Sequence, residues 1–184
     1  MYLPVFLTLI LSSVTKLTNC NKHPVIGILT QEVYWSSFKN VVPLNNSYIA
    51  ASYVKAGADR PIGIPGKSWD VVKKVNGILV PGGKCVFNVS FGISQSTSKI
   101  FHIAKNINDD RDHFPILGIC LGFELLLIVS IDGKNPLTPC DSNDMNLPLN
   151  LIPTMEENSV LFKRMPENVR NILLTEPVTA NHHM

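Results

Sequence analysis

Three short apolar runs, Val25–Thr30, Gly77–Val80 and Phe114–Ile119, constrain the fold of this chain more than any other feature. Each carries apolar residues at consecutive positions rather than alternate ones. That is the pattern of a parallel strand covered on both faces. Arg60–Pro65 reads as a further strand, although its prolines and glycine make it poor material for a central position. Helical stretches fall between these runs. Asn46 or Ser47 can cap a helix through Tyr48–Lys55 that stops at Gly57, and Ser68 can cap another over Trp69–Val75. Ser96–Ile107 puts Ile100, Ile103, Ala104 and Ile107 on one helical face. Strands alternating with helices predict an α/β fold with a parallel sheet and right-handed crossovers, in which ligands meet the carboxyl ends of the strands.

Beyond Gly133 the alternation loosens. A loop through Pro136 and Asn143 leads to an apolar segment, Met145–Ile152. Ser159–Phe162 and Glu167–Leu174 follow as short helical stretches, and Pro177–Met184 is strand-like with paired histidines. A chain of 184 residues is one domain by size, large enough to bury a core. Its net charge of +2 and charged fraction of 16%, with Lys and Arg scattered, argue against a nucleic-acid partner.

The amino terminus differs in kind. Leu3–Leu11 is almost wholly apolar, yet too short for a bilayer, which takes about 20 apolar residues. Residues 1–20 read as a secretory signal peptide, although a positive amino-terminal region and a small-x-small cleavage site are both missing. The mature chain, residues 21–184, is then lumenal or secreted, with no membrane anchor. Two glycosylation sequons, at Asn45 and Asn88, agree with that route. In an oxidising compartment Cys85 could pair with Cys140, leaving Cys120 free for chemistry.

Gly118-Ile119-Cys120-Leu121-Gly122 places that thiol where the third apolar run meets a helical run starting at Phe123. The flanking glycines allow a cramped backbone, and the helix start supplies amides and a positive dipole end that favour thiolate. Topology brings Pro81-Gly82-Gly83 to the same sheet edge. As a thiolate attacks an acyl group, charge builds on the carbonyl oxygen, and backbone N–H groups aimed there stabilise the transition state. The amide of Leu121 is one candidate donor; that of Gly82, or alternatively Gly83, is the other. Of the histidines, His113 and His23 precede their strands and His102 rides a crossover helix, so only His182 and His183 could reach the active edge.

Five blocks, Ile26–Gln31, Ser47–Lys55, Asn76–Gly83, Gly118–Glu124 and Thr179–His183, resemble in order the γ-glutamyl hydrolases, which are secreted, lysosomal or vacuolar members of the class I glutamine-amidotransferase-like group. The resemblance runs from residue 24 to the end. It implies a three-layer, flavodoxin-like α/β sandwich with a mostly parallel central sheet. It also implies hydrolysis of γ-linked glutamates from folyl polyglutamates through a thioester, with no metal or cofactor and no nucleic-acid or membrane partner; a homodimer is left open. Cys120 matches the family nucleophile, and the Gly82–Gly83 loop its oxyanion side. His183 falls where the family has a substrate-binding histidine, with His182 as the lesser alternative.

Two departures stand out. Between Lys55 and Ala56 the chain lacks roughly one helical turn, about 3.6 residues, that the family carries. The family's catalytic histidine lies in a Trp-His-Pro-Glu motif, and that motif is absent from these 184 residues. The resemblance therefore predicts a sheet incomplete towards the carboxyl terminus, with an exposed apolar edge. It leaves two readings: a truncated form of a working hydrolase, or a short protein that binds γ-glutamyl ligands without turnover. A glutaminase-type subunit feeding ammonia to a synthase is a third reading, disfavoured by the leader and the sequons.

Overall fold

The computed structural model describes residues 22–36, 39–43, 46–56, 60–66, 69–88, 90, 92–110, 112–152, 158–159 and 162–183. The leader over residues 1–20, the sequon residue Asn45, the stop at Gly57 and the cap at Ser68 lie outside them. The chain divides into two compact units, one up to Pro136 and one from Leu137.

The first unit begins with β1 (Val25–Leu29), β2 (Gln31–Glu32), a 3-10 turn at Val33–Trp35, β3 (Ser47–Tyr48) and α1 (Ala51–Ala56). It continues through β4 (Arg60–Ile64), α2 (Trp69–Val72), β5 (Gly77–Val80), α3 (Gly92–Asp109), β6 (Ile116–Gly118) and α4 (Leu121–Ser130). Its main sheet has the order β4-β1-β5-β6, parallel throughout. With its flanking helices it is the parallel α/β arrangement that the alternation predicts, in the flavodoxin-like form that the resemblance implies.

Side-chain packing explains the order. The central strands β1 and β5 carry Ile28, Leu29, Ile78, Leu79 and Val80, all buried. Leu29, Ile64, Ile78 and Val80 share one core with Val72 of α2, Ile93, Ile100 and Ala104 of α3, and Leu121 and Leu125 of α4. β4, with Pro61 and Gly63, takes an edge, where a missing N–H costs least. Asn108 then sets where β6 starts. Its amide donates to the carbonyls of Ala104 and Phe114, and its carbonyl oxygen accepts from the Phe114 N–H at 3.0 Å. The end of α3 is thereby clipped to the strand that leads to Cys120.

Three expectations are corrected. The helix drawn over Tyr48–Lys55 starts at Ala51, because Ser47 and Tyr48 pair antiparallel with Glu32 and Gln31; Asn46 and Ser47 are therefore no helix cap. The helix from Trp69 ends at Val72, and Val75 closes a turn on it. The run Phe114–Ile119 is not covered on both faces: only Ile116–Gly118 pairs, at the sheet edge, and Leu117 and Ile119 are exposed. In contrast, α3 contains the expected face, with Ile100 and Ala104 buried and Ile103 and Ile107 packed against them.

The second unit holds β7 (Ser142–Leu147), α5 (Glu167–Thr175) and β8 (Thr179–His183). β7 and β8 pair antiparallel, Leu147 opposite Thr179 and Met145 opposite Asn181, with an irregularity between Ser142 and Met145 where Asp144 takes a φ of 53°. The Asn181 side chain donates to the carbonyls of Met145 and Thr179 and ties the two strands together. Among the described residues, no helix is long and apolar enough to cross a membrane.

Candidate active site

Cys120 occupies the turn between β6 and α4. β6 runs beside β5, with Gly118 opposite Val80, and the Ile119 N–H still donates to the Val80 carbonyl at 3.0 Å. At the next residue the backbone turns sharply, with φ 53° and ψ −120°, conformational territory that a residue with a side chain rarely enters. Helix α4 starts at once, and the Cys120 carbonyl accepts from the N–H groups of Phe123 and Glu124. The flanking glycines have a steric cause. A Cβ on Gly122 would collide with the Val80 carbonyl, and one on Gly118 would stand 2.6 Å from both the Gly122 carbonyl and the Phe123 nitrogen. Only bare backbone lets the corner press against β5. The result is an exposed Cys120 beside the Leu121 N–H, which has no acceptor among the described residues.

The Pro81-Gly82-Gly83 turn lies against this corner. Pro81 is fully buried at the end of β5. An ideal Cβ on Gly82 would lie 3.0 Å from the Cys120 Cβ and 2.9 Å from the Tyr53 hydroxyl oxygen, so both groups crowd the space that glycine leaves empty. Residue 82 is held on both sides: its N–H donates to the Tyr53 Oη at 2.9 Å, and its carbonyl accepts a hydrogen bond from the buried Gln31 side chain. Gly83 follows with φ 155°, and a side chain there would run into Gln31. The Gly82 amide, expected to face the site openly, is thus engaged by Tyr53, whereas the Gly83 N–H has no partner among the described residues.

Sequence reasoning missed Tyr53 and Gln31. Gln31 was within reach, since it follows β1 directly at the ligand-facing edge. Tyr53 was not: its part depends on how α1 lies against the turn after β5, 29 residues away.

The other thiols differ from Cys120. Cys85 and Cys140 carry no disulfide, so the pairing considered for them is corrected to free thiols. Cys85 is half-buried, with its sulfur 3.5 Å from the Ser94 hydroxyl. Burial pushes its thiol above the ordinary range; the Ser94 hydrogen bond pulls the other way, and the Glu32 and Glu124 carboxylates add to the rise. Cys140 is exposed in the second unit.

His113 precedes β6 and His23 precedes β1, at the opposite strand ends from Cys120, and His102 is exposed on α3. Cys120, Leu121, Gly82 and Gly83 therefore come together in the first unit. His182 and His183 belong to β8 of the second unit. Asn88 is exposed in the loop after β5, its side-chain oxygen accepting from the Ser90 N–H.

Residues 24–134 match the family model described as Peptidase C26. Among characterised proteins, the chain is 37% identical over 171 residues to the gamma-glutamyl hydrolase of Mus musculus, covering 89% of this chain and 52% of that protein. It is 34% identical to gamma-glutamyl hydrolase B of Dictyostelium discoideum, covering 97% of this chain and 53% of that protein. The figure for gamma-glutamyl hydrolase 1 of Arabidopsis thaliana is 32%, covering 90% and 49%. The chain spans about half the length of the curated relatives it matches.

Proposed function

This chain belongs to the peptidase C26 family, and on that footing we propose that it acts on γ-glutamyl bonds of folyl polyglutamates, with Cys120 as nucleophile and a thioester as intermediate. The observation that carries this reading is the Cys120 corner: a strained, exposed thiol at the carboxyl end of a parallel strand, in contact range of a glycine turn. A γ-glutamyl bond is a side-chain amide. The Cys120 sulfur bonds its carbon, the carbonyl π pair moves to oxygen, and the Leu121 N–H and the Gly82–Gly83 turn meet that charge from the protein side. The C–N bond then breaks, the amine leaves with the thiol's proton, and water hydrolyses the thioester. His183, or else His182, contacts the glutamate tail. The chemistry as drawn uses no metal or cofactor. Residues 1–20 act as the leader, 21–184 form the hydrolase-like part, and the destination is a lysosome, a vacuole or the extracellular space. Glycans on Asn45 and Asn88 fit that route, and the exposure of Asn88 supports it.

A second reading rests on its own observation: in the first unit, none of His23, His102 and His113 hydrogen-bonds the Cys120 sulfur. A thiol nucleophile depends on a neighbouring base to take its proton, and without one the chain would bind γ-glutamyl ligands without turnover. One experiment separates the two. The purified chain is incubated with a γ-linked oligoglutamate and free glutamate is measured. Release that disappears in Cys120→Ala supports the hydrolase; binding of the oligoglutamate with no release supports the second reading.

A further inference from the structure

We propose that the Tyr53 hydroxyl, and not the Gly82 amide, is the donor that the Pro81–Gly83 turn presents to the carbonyl oxygen when Cys120 attacks. The inference deepens the reading of Cys120 as nucleophile and rests on it.

A tyrosine hydroxyl has one proton and two acceptor lone pairs. One lone pair of Tyr53 takes the Gly82 N–H at 2.9 Å. The hydroxyl's own proton has no acceptor among the described residues. Tyr53 is only half-buried, so that proton has access to the open rim. The accepted bond also polarises the O–H and makes it a better donor than an isolated phenol. Position agrees with this role. The Tyr53 oxygen and the Cys120 Cβ stand 2.9 and 3.0 Å from the same point, the place where a side chain on residue 82 would begin.

The alternative requires the Gly82 amide to leave Tyr53 and turn to the substrate. Its neighbouring peptide resists this, because the Gly82 carbonyl is held by Gln31, which is only 7% exposed. Glycine at 82 is then explained without a substrate contact: any side chain would displace both the hydroxyl and the cysteine. In the step concerned, sulfur bonds the amide carbon and the π pair moves to oxygen. The phenolic proton hydrogen-bonds that oxygen and stays on Tyr53. The pair returns as C–N breaks, and the thiol's proton leaves on the amine.

The test uses the full chain and an N-acylated glutamate γ-semialdehyde, whose carbonyl adds the Cys120 thiol reversibly and places an oxygen where the charge would build. Affinity is measured by calorimetry for the wild type, Cys120→Ala and Tyr53→Phe. The expected result is binding by the wild type, loss in Cys120→Ala, and a weakening of about 10- to 100-fold in Tyr53→Phe. The rate at which iodoacetamide alkylates Cys120, a reaction that builds no charge on a carbonyl oxygen, stays unchanged in Tyr53→Phe and so separates donation from a structural effect. Equal or tighter binding by Tyr53→Phe would overturn the proposal, since a backbone N–H of the turn, the freed one of Gly82 or the unengaged one of Gly83, would then be the donor. Equal binding by Cys120→Ala would remove Cys120 as nucleophile, and the Tyr53 proposal would fall with it. Should Tyr53→Phe fail to fold, 3-fluorotyrosine at position 53 keeps the shape and acidifies the O–H: tighter aldehyde binding supports the proposal, and unchanged binding overturns it.

Discussion

At φ 53° and ψ −120° a cysteine holds its backbone where strain of about 1–3 kcal/mol is usual for a residue with a Cβ. Glycine pays little of that strain but loses about 0.5–1 kcal/mol to its own chain entropy. Cys120→Gly should therefore unfold at higher urea than Cys120→Ala, by about 1 kcal/mol of stability; a lower midpoint for Cys120→Gly, by the roughly 0.5–1 kcal/mol of glycine's entropy, would show that the corner is unstrained. Cys85 makes a separate prediction. Its thiol is raised in the fold, mainly by burial, so above about pH 8.5 the unfolded chain loses that proton while the folded chain keeps it. The linkage is thus favourable below that pH and fades as pH rises through the folded value. Urea midpoints should fall as pH rises from about 8.5 towards the raised folded value, and Cys85→Ala should flatten the decline.

Helix α3 shows how much of an element its own residues dictate. Its apolar spacing named the buried face correctly, because a helix of five turns or so must lay one stripe on the core. The same face also buries Thr97, whose hydroxyl has no hydrogen-bond partner among the described residues. Thr97→Val keeps the shape and removes the unpaired polar atom, and should stabilise the chain by about 1 kcal/mol, read as a higher melting temperature. A drop would mean that the hydroxyl is satisfied in solution. Short elements were less legible. Ser47 and Tyr48 have helical neighbours, yet they pair with Glu32 and Gln31 across a long connection, and local propensity carries no record of that partner. Ser94, Ser96 and Thr97 are buried on α3 without any apolar signal to announce them.

Across the molecule, the sheet ends at β6 with an apolar rim. Leu117, Ile119 and Phe123 are 56%, 40% and 59% exposed. An unpaired strand edge bearing such side chains is an association hazard. Leu117→Lys should lower concentration-dependent light scattering and leave the far-ultraviolet circular dichroism unchanged; scattering equal to that of the wild type would acquit this edge.

The order of apolar runs and helical stretches was enough to determine the parallel α/β sheet and the placing of Cys120 and the Gly82–Gly83 turn on one rim, because strand direction alone carries each loop to the carboxyl edge. Which atoms meet there was decided only in three dimensions. That Gly82 gives its N–H to Tyr53 and its carbonyl to Gln31 depends on contacts between residues 29 and 51 positions apart, and no periodicity records a hydrogen bond formed across such a distance.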